Sequence, residues 1–263
     1  LKDRIRNRLL QFVSTPSMET GSHHAKVLAV ASSKGGVGKT TTAVNLASAL
    51  ARFERAKVLL VDLDAQGHVS CAFNVGRAPE GSLSDVLMNN NRQVGEIARA
   101  YSPVPNLFVV PSDKQLGETE TVLSAKVGKE FILDSALSVT RTHFDAIILD
   151  CPPNLGTLSL NALLACDQVL VPCDMSVLAL EGVSNLFNTI EIMRQRLGRA
   201  GDVLGVLITR YDKRTKRVNE DVVDSLQAVY GNVLLDERIP LSSMLNRAHL
   251  AGEDIFAYAP RSN

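Results

Sequence analysis

The residues best suited to chemistry lie in one glycine-rich stretch, SSKGGVGKTTT, at residues 32–42. It follows the apolar run VLAVA and precedes a helical pattern, so backbone N–H groups and the positive end of a helix dipole meet there. Three glycines let the backbone approach a phosphate closely: Gly35, Gly36 and Gly38. In the usual phosphate-loop pattern, Lys39 contacts the β- and γ-phosphates and the Thr40 hydroxyl ligates Mg²⁺. The stretch therefore predicts a nucleotide-phosphate site.

The same loop departs from the standard pattern at two positions. Ser33 stands where the pattern has its first glycine, and Lys34 adds a second lysine. Because Lys39 already serves the terminal phosphates, Lys34 is useful only for charge that Lys39 cannot reach. It could fold back onto its own nucleotide or reach a nucleotide held by a second subunit, and the loop by itself leaves both placements open.

Three aspartates follow apolar runs and are candidates for the edge of a sheet. Asp150 ends the run AIIL, and Asp62 and Asp64 lie in VDLDAQG. A carboxylate at the carboxyl end of a strand can hold Mg²⁺ through a coordinated water. Phosphoryl transfer also needs a group that orients the attacking water. The alternatives are a helix cap or turn for Asp150, and a turn-shaping role for the other two aspartates.

The segment DCPPNLG, residues 150–156, has the composition of a switch loop. Two prolines restrict its backbone and a glycine gives it local flexibility, as in loops that sense a γ-phosphate. Cys151 would suit an iron–sulfur ligand, but no second cysteine is suitably spaced. The chain has four scattered cysteines, which we expect to be reduced and inert: Cys71, Cys151, Cys166 and Cys173.

The elements that must position these residues appear as alternating strand and helix patterns. The helical spacing is clearest directly after the glycine loop, at Ala43, Val44, Leu46, Ala47 and Leu50. Strands joined by amphipathic helices predict an α/β fold with a doubly wound, mostly parallel sheet flanked by helices. The candidate strands are VLAVAS (27–32), KVLLVD (57–62), LFVVP (107–111), DAIILD (145–150), QVLVP (168–172), VLGVLIT (203–209) and, more weakly, VLLDERIP (233–240).

Composition limits the class of protein. The chain has 263 residues, 45% of them hydrophobic, which is enough for one sizeable core. Its 28 basic and 28 acidic residues cancel, so any nucleic-acid surface must be a local patch. No apolar run approaches the roughly 20 residues of a membrane helix, and no secretory signal is evident. We therefore expect a cytoplasmic protein.

Residues 1–24 differ from the rest and are predicted to lie outside a P-loop domain that spans residues 25–263. LKDRIRNRLLQFV is a basic amphipathic segment, and STPSMETGSHH resembles a linker or an added end. The segment could be a surface-packed or poorly ordered helix, or it could dock on a membrane or a partner.

KGGVGKTT resembles the deviant Walker A motif of the ParA/MinD superfamily, within the SIMIBI class of P-loop NTPases. Further segments sharpen the resemblance to the ParA branch, and together they cover roughly residues 26–260. These segments are VLLVDLDAQG (58–67), FDAIILDCPPNLG (144–156), ALLACDQVLVPCDMSVLALEGV (162–183) and the spaced pattern IP…A…G…IFAYAP (239–260).

The resemblance implies a weak ATPase that uses ATP/ADP and Mg²⁺. Lys34 would contact the phosphates of the partner subunit's ATP in an ATP-sandwich homodimer, and Asp64 would orient the attacking water. Thr40 and Asp150, the latter through water, would hold Mg²⁺, with Asp62 near its shell. The implied nucleotide-binding residues are Lys34, Gly35, Gly36, Val37, Gly38, Lys39, Thr40 and Thr41, with Arg210 and Pro240 near the nucleotide base. The alternative for Arg210 is an ordinary surface arginine.

The resemblance also implies non-specific DNA binding in the ATP state, a ParB-like protein that stimulates hydrolysis, and nucleoid association. Phosphate-backbone contacts need clustered basic side chains, although such a run is often a solvated loop. The candidates are Lys213, Arg214, Lys216, Arg217 and Arg247, supported by the basic run MRQRLGR. Two features depart from the family. LSSM (241–244) stands where many relatives carry arginines, and relatives continue past YAPRSN into a final helix. We expect either that the C-terminus was cut or left unseen, or that the N-terminal segment occupies the place of that helix.

Three rival functions are weaker. A MinD-like positioning ATPase would need a C-terminal amphipathic membrane helix, for which the basic N-terminal segment is a poor substitute. An iron–sulfur carrier would need paired cysteines. A nucleotide-binding scaffold without turnover is disfavoured because Lys39, Thr40, Asp64 and Asp150 occur together.

Overall fold

Eight strands of the described residues form one sheet in the order β3-β4-β2-β5-β1-β6-β7-β8. The computed structural model describes residues 24–76, 81–89, 91–176, 178–212, 214 and 216–261. Neighbouring strands pair in parallel except β3 with β4, which are antiparallel. The strands are β1 Lys26–Val30, β2 Val58–Asp62, β3 Arg99–Ala100, β4 Leu107–Val110, β5 Ala146–Asp150, β6 Gln168–Cys173, β7 Asp202–Tyr211 and β8 Leu234–Pro240.

Helices follow most of the strands and cover both faces of the sheet. Short 3₁₀ turns lie at Val94–Ile97, Lys129–Phe131 and Thr140–His143. The α-helices are α1 Lys39–Phe53, α2 His68–Phe73, α3 Leu83–Met88, α4 Leu116–Ser124, α5 Ile132–Leu137, α6 Thr157–Ala165, α7 Ala179–Leu197, α8 Lys216–Tyr230, α9 Ser243–Ala251 and α10 Ile255–Tyr258.

The central strands carry apolar side chains on both faces, as a parallel sheet covered by helices requires. Every residue of β2 and β5 is buried. Alternate side chains feed two separate apolar clusters, one on each face; Val27 and Ala29 belong to one, and Leu28 and Val30 to the other. The predicted doubly wound α/β class is therefore confirmed, and all seven candidate strands are present.

The sequence did not predict β3. It has two residues, Arg99 and Ala100, which pair antiparallel with β4 at the edge of the sheet. A strand this short carries no alternation from which it could be recognised.

The order of the strands places the predicted site residues together at one edge of the sheet. β5 lies between β1 and β2, and the register places Asp150 beside both Val30 and Asp62. The carboxyl ends of β1, β2 and β5 are therefore adjacent, and ligands of open α/β sheets bind in the crevice outside such ends.

Two further predictions depend on the part of the chain that is described. The amphipathic segment and all of the predicted 1–24 unit except His24 lie outside it, so the proposed boundary stays a prediction. All four cysteines are unpaired thiols, with Cys71 exposed and the other three buried. Among the described helices, none is long and apolar enough to cross a membrane.

Candidate nucleotide-binding site

The glycine loop runs from the end of β1 to the first turn of α1. Gly36 and Gly38 have φ angles of 75° and 84°, a left-handed conformation that glycine adopts without strain. Gly38 occupies the N-cap of α1, and no side chain within the described residues caps that helix end. The first N–H groups of α1 are therefore not used by a cap, which is the arrangement that an anion site at a helix N-terminus needs.

A cavity of about 400 Å³ opens above this loop. It brings together most of the predicted nucleotide-binding residues with Asp64, Arg210 and Pro240, whereas Lys34, Val37, Asp62 and Asp150 are not among its lining residues. The lining residues are Gly35, Gly36, Gly38, Lys39, Thr40, Thr41, Thr42, Asp64, Gln66, His68, Pro153, Thr209, Arg210, Ile239, Pro240, Leu241, Ser242, Leu245, Asn246 and His249.

Lys39 crosses the loop beneath this cavity. Its Nζ donates to the backbone oxygen of Lys34 at 2.9 Å, and only 7% of the residue is exposed. Burial lowers the pKa of Lys39, while Asp150, the Cys151 thiol and Asp64 act in the opposite direction. The ammonium therefore lies in a low-dielectric pocket where interactions with phosphate are strengthened.

Asp150 is a buried carboxylate at the end of β5. Its residue is 0% exposed, neither oxygen has a hydrogen bond of normal geometry within the described residues, and the Thr40 hydroxyl is the nearby donor that favours its charged form. Burial raises its pKa to about 7, and the nearby Thr40 hydroxyl and Lys39 ammonium lower it only in part. A buried carboxylate is normally paired, so this one is placed for a group supplied with the ligand.

Asp62 lies next to Asp150 but uses its oxygens differently. Oδ1 accepts from the N–H of Asp64 at 3.0 Å, and Oδ2 accepts from the N–H of Val69 at 3.1 Å. Burial and then Asp150 raise its pKa well above the usual range. This geometry favours the turn-shaping alternative, because the carboxylate braces the loop that carries Asp64.

Asp64 is placed at the wall of the cavity. Its Oδ1 accepts from the N–H of Gln66 at 3.0 Å, and 8% of the residue is exposed. One carboxylate oxygen is thereby fixed within the loop. A carboxylate held at such a wall can orient a water toward a phosphate.

The residues present fit a magnesium ion. No group of three or more His, Cys, Asp or Glu in the described residues is arranged to hold a metal by itself. Mg²⁺ rarely needs such a cage, because it keeps several waters and binds through one or two protein oxygens and the substrate phosphates. The unpartnered carboxylate of Asp150 beside the Thr40 hydroxyl is a donor set of that kind.

The predicted switch loop packs directly on the glycine loop. A Cβ at Gly35 would contact Pro153 at 3.6 Å, and Pro153 also lines the cavity. At the far end of the loop, Glu120 accepts from the N–H of Leu158 at 3.1 Å. A Cβ at Gly156 would lie 2.4 Å from the Glu120 carboxylate, so a larger residue there would displace the Glu120 side chain from this contact.

The end of β7 closes the side of the site where the nucleotide base is predicted to lie. Arg210 has a φ of 52°, which is unusual for a residue with a side chain, and its Nη1 donates to the backbone oxygen of Gly36 at 2.9 Å. Thr209 Oγ1 donates to the oxygen of Val37 at 2.7 Å and to that of Cys173 at 3.2 Å. The loop is thus tied to the neighbouring strands.

Lys34 points to a different neighbour. Its Nζ donates to the two Asp174 oxygens at 3.1 and 3.0 Å and to Ser176 Oγ at 2.6 Å. Both residues lie in the loop that follows β6. The second lysine is therefore held outside the cavity of its own subunit.

The candidate DNA-binding residues are only partly described. Lys213 lies outside the described residues, and Lys216 and Arg217 belong to α8 without described side chains. Arg214 is exposed and pairs with Asp212 at 2.7 Å. Arg247 is exposed on α9.

Several residues of the site were not predicted from the sequence. Asp174 and Thr209 stand at the carboxyl ends of β6 and β7, where the rule that pointed to Asp150 would have found them. His68 directly follows the Asp64 loop, and its position shortly after a strand could have indicated it in the same way. His249 and the other lining residues of α9 had none, because they come from a distant helix.

Comparisons with known proteins agree with this geometry. A family model described as an AAA domain matches residues 25–200. The chain is 37% identical over 238 residues to the sporulation initiation inhibitor protein Soj of Bacillus subtilis, covering 90% of this chain and 92% of that protein. It is also 37% identical over 236 residues to the chromosome partitioning protein ParA of Caulobacter vibrioides, covering 89% of this chain and 87% of that protein.

Solved structures share the fold along most of the chain. An ATP complex of a McdA variant from Cyanothece has a TM-score of 0.82 at 23% identity, covering 91% of this chain and 92% of that one. Cobyrinic acid a,c-diamide synthase from Mycobacterium smegmatis, with bound ATP analog and magnesium, has a TM-score of 0.75 at 32% identity, covering 90% and 97%. The shared architecture is that of a P-loop NTPase.

Proposed function

This chain belongs to the ParA family of partition ATPases, and from that membership we propose that it is an ATP-dependent dimerising switch. In the ATP state it forms a homodimer, binds DNA without sequence preference and associates with the nucleoid. Hydrolysis to ADP and phosphate is slow until a ParB-like protein stimulates it. The cycle positions or partitions a cargo, which could be a plasmid, a chromosome or a protein assembly.

The observation that carries the proposal is the placement of two lysines on opposite sides of one phosphate loop. Lys39 lines the nucleotide cavity, whereas the Lys34 ammonium is bound by the loop after β6. One lysine serves the phosphates of its own subunit. The other is then available to a nucleotide that a symmetry-related copy brings to it, as a two-fold dimer would do.

We assign the phosphate contacts to the glycine loop and the start of α1. Backbone N–H groups from Gly35 to Thr41 surround the phosphates, and the Lys39 ammonium neutralises the β- and γ-oxygens. Arg210 and Pro240 close the base side of the cavity. Asp64 orients the attacking water toward the γ-phosphate, and Lys34 completes the charge neutralisation from the partner subunit.

Thr40 and Asp150 are the residues that would hold Mg²⁺, the latter through a coordinated water. The ion supplies charge neutralisation at the transferring phosphate. A water in the coordination shell of the ion would give the buried Asp150 oxygens a hydrogen-bond donor. We assign Asp62 to bracing the Asp64 loop, since its oxygens accept two backbone N–H groups.

The DNA surface is proposed to combine the basic segment at residues 213–217 with Arg247. These side chains would contact phosphates and not base edges, so binding would be insensitive to sequence and sensitive to salt. Exposure of Arg214 and Arg247 supports this assignment.

Two other activities have less support. A MinD-like membrane role would depend on the basic segment within residues 1–24, which lies outside the described residues except for His24. The diamide synthase name belongs to a structure at 32% identity, whereas Soj and ParA are at 37%. We therefore retain the partition function.

A DNA-binding and mass experiment tests the proposal. Random-sequence duplex DNA is titrated with protein in ADP and in a non-hydrolysable ATP analogue, at low and moderate salt, with light scattering for molecular mass. We expect dimers and salt-sensitive DNA binding only with the analogue. Arg247→Ala should weaken DNA binding. Lys26→Ala, which changes an exposed lysine at the amino end of β1, should not.

The outcomes separate the parts of the proposal. A monomer in every nucleotide state would refute the dimerising switch. A dimer that ignores DNA would refute the DNA step alone and show that the LSSM segment marks a loss of that surface.

A further inference from the structure

A carboxylate of helix α4 caps a different helix at the end of the switch loop. This loop, residues 150–156, leads into α6, and Gly156 at the N-cap has no side chain to accept the first N–H groups. Glu120 supplies the acceptor, because its Oε1 accepts from the N–H of Leu158, the second residue of α6, at 3.1 Å. An N-cap side chain normally makes this contact from within its own helix. We propose that Glu120 is a positioning residue that holds the switch loop in place for ATP hydrolysis, which rests on the proposed ATPase activity.

Charge and burial both favour this contact. The N-terminus of a helix carries a partial positive charge, so a carboxylate there is stabilising. Glu120 is half-buried, so water screens the contact only in part. Leu158 is 2% exposed, and little water can reach its N–H in place of the carboxylate. Loss of the carboxylate would therefore leave a buried donor without an acceptor.

The body of α6 is fixed independently of Glu120 by Asn161. The Oδ1 of this side chain accepts from the N–H of Leu133 at 3.0 Å, and its Nδ2 donates to the oxygens of Lys129 at 2.7 Å and Thr157 at 2.8 Å. The other end of the switch loop continues β5, a strand that is buried throughout. The loop is thus attached to fixed elements at both ends, and the Glu120 contact lies where the loop joins α6. Variants of Glu120 should loosen that first turn and leave the helix folded.

The first turn of α6 affects the site because the switch loop lines the nucleotide cavity. Pro153 of this loop packs against Gly35 and is one of the lining residues. Asn154 Oδ1 accepts from the N–H of Gly156 at 3.0 Å, and Ser159 Oγ donates to the backbone oxygen of Asn154. These bonds join the loop to α6, so a displacement of the first turn moves Pro153 as well. A misplacement of about 1 Å at reacting groups can cost about 100-fold in rate.

Helix α4 also faces the loop that carries Asp64. A Cβ at Gly117 would lie 3.9 Å from the Cβ of Ala65, the residue that follows Asp64. Gly117 and Glu120 are three positions apart and therefore lie on one side of α4. The helix thus connects the Asp64 loop with the switch loop, and Glu120 makes the polar contact to the second of them.

Removal of the Glu120 carboxylate should lower turnover and spare nucleotide affinity. Loss of an N-cap contact shifts the equilibrium of a first helical turn about two- to 30-fold, so kcat in Glu120→Ala should fall by about that factor. Glu120 is not among the lining residues of the cavity, so the affinity for a non-hydrolysable ATP analogue should match the parent. Glu120→Gln keeps an acceptor oxygen and should recover most of the lost turnover.

The first measurement is phosphate release by the full chain against ATP concentration, at fixed protein concentration, with calorimetric titration of the analogue. The matched control is Glu118→Ala, which changes an exposed glutamate in the first turn of the same helix. It removes the same charge and gains the same helix propensity, and it should leave kcat unchanged. A kcat of Glu120→Ala equal to that of the control would overturn the positioning role. A loss of affinity as large as the loss of kcat would overturn it as well.

Gly156 provides an independent test through a double-mutant cycle. Its φ of −78° and ψ of −170° are open to alanine, but a Cβ there would overlap the Glu120 carboxylate. Gly156→Ala should therefore lower kcat in the parent and have much less effect in the Glu120→Ala background. The same Cβ would lie 3.0 Å from Asn154 Oδ1 in both backgrounds, so that contact cancels in the cycle. Additive losses of kcat would show that Gly156→Ala does not act through Glu120 and would overturn the positioning role.

A second measurement needs no turnover. Hydrogen exchange of peptides that cover the first turn of α6 is followed by mass spectrometry in the nucleotide-free chain. The amide of Leu158 should exchange about two- to 30-fold faster in Glu120→Ala than in the parent, and at the parent rate in Glu118→Ala. Equal exchange in the two variants overturns the Glu120 contact. Faster exchange in a chain whose parent releases no phosphate supports the contact while refuting the proposed ATPase activity.

Discussion

Thr209→Val is the sharpest test of how the glycine loop is held. Thr209 is 2% exposed at the end of β7, and its hydroxyl donates to the backbone oxygens of Val37 and Cys173. Valine keeps the shape of threonine and removes only the hydroxyl. The perturbation therefore deletes one tie between the loop and the sheet without opening a cavity.

The expected loss of stability follows from the burial of the Thr209 hydroxyl and its acceptor. The Thr209 hydroxyl has one proton, and the Val37 oxygen at 2.7 Å is its nearer acceptor, so one interior carbonyl loses its donor. Leaving a buried polar group unsatisfied costs about 1–3 kcal/mol. Since about 1.4 kcal/mol is a factor of ten, the folded-to-unfolded ratio should fall about five- to 150-fold. Where the loop must be reordered on binding, ATP affinity should fall as well, by up to about tenfold for each 1.4 kcal/mol.

Urea unfolding and calorimetric titration with a non-hydrolysable ATP analogue measure the two effects. Thr189→Val is a matched control, because its hydroxyl donates to the Asn185 oxygen at 2.8 Å within helix α7 and away from the site. It should change stability by less than about 0.5 kcal/mol and leave affinity unchanged. Thr209→Ser, which keeps the hydroxyl, should retain most of the affinity.

The refuting result is specific. If Thr209→Val matched the control in both stability and affinity, the contact to Val37 would contribute nothing to the loop. Loss of stability without loss of affinity would limit Thr209 to a structural role.

Four further outcomes are expected. Lys39→Ala should abolish ATP binding, and normal affinity by calorimetry would remove Lys39 from the phosphate site. Asp64→Ala should bind ATP, stop turnover and accumulate a stable ATP dimer; phosphate release at the parent rate would exclude a catalytic role. Lys34→Ala should weaken ATP-dependent dimerisation, and an unchanged mass by light scattering would favour a contact with its own nucleotide. Burial raises the pKa of Asp150 to about 7, so the folded chain retains a proton that the unfolded chain has lost; stability without nucleotide or Mg²⁺ should fall as the pH rises from about 4 to about 7, and Asp150→Asn should reduce that fall in urea unfolding.

Local patterns in the sequence determined most of the fold and the phosphate loop. Continuous Val, Ile and Leu runs such as β5 can be buried only in a sheet covered on both faces, and all seven predicted strands are present. The glycine spacing likewise fixes the left-handed turns at Gly36 and Gly38. Asp150 could be placed at the carboxyl edge because a residue that ends a parallel strand lies there whatever the order of the strands.

Only the tertiary structure decided which side chains meet across that edge. Lys34 and Asp174 are 140 positions apart, and they pair because β1 and β6 are neighbours in the sheet. Strand order depends on packing of the whole chain, which the period of apolar residues does not encode. Asp62 shows the same limit: its type and position suited either a metal or a turn, and the bonds from the N–H groups of Asp64 and Val69, which favour the turn, are evident only in the folded chain.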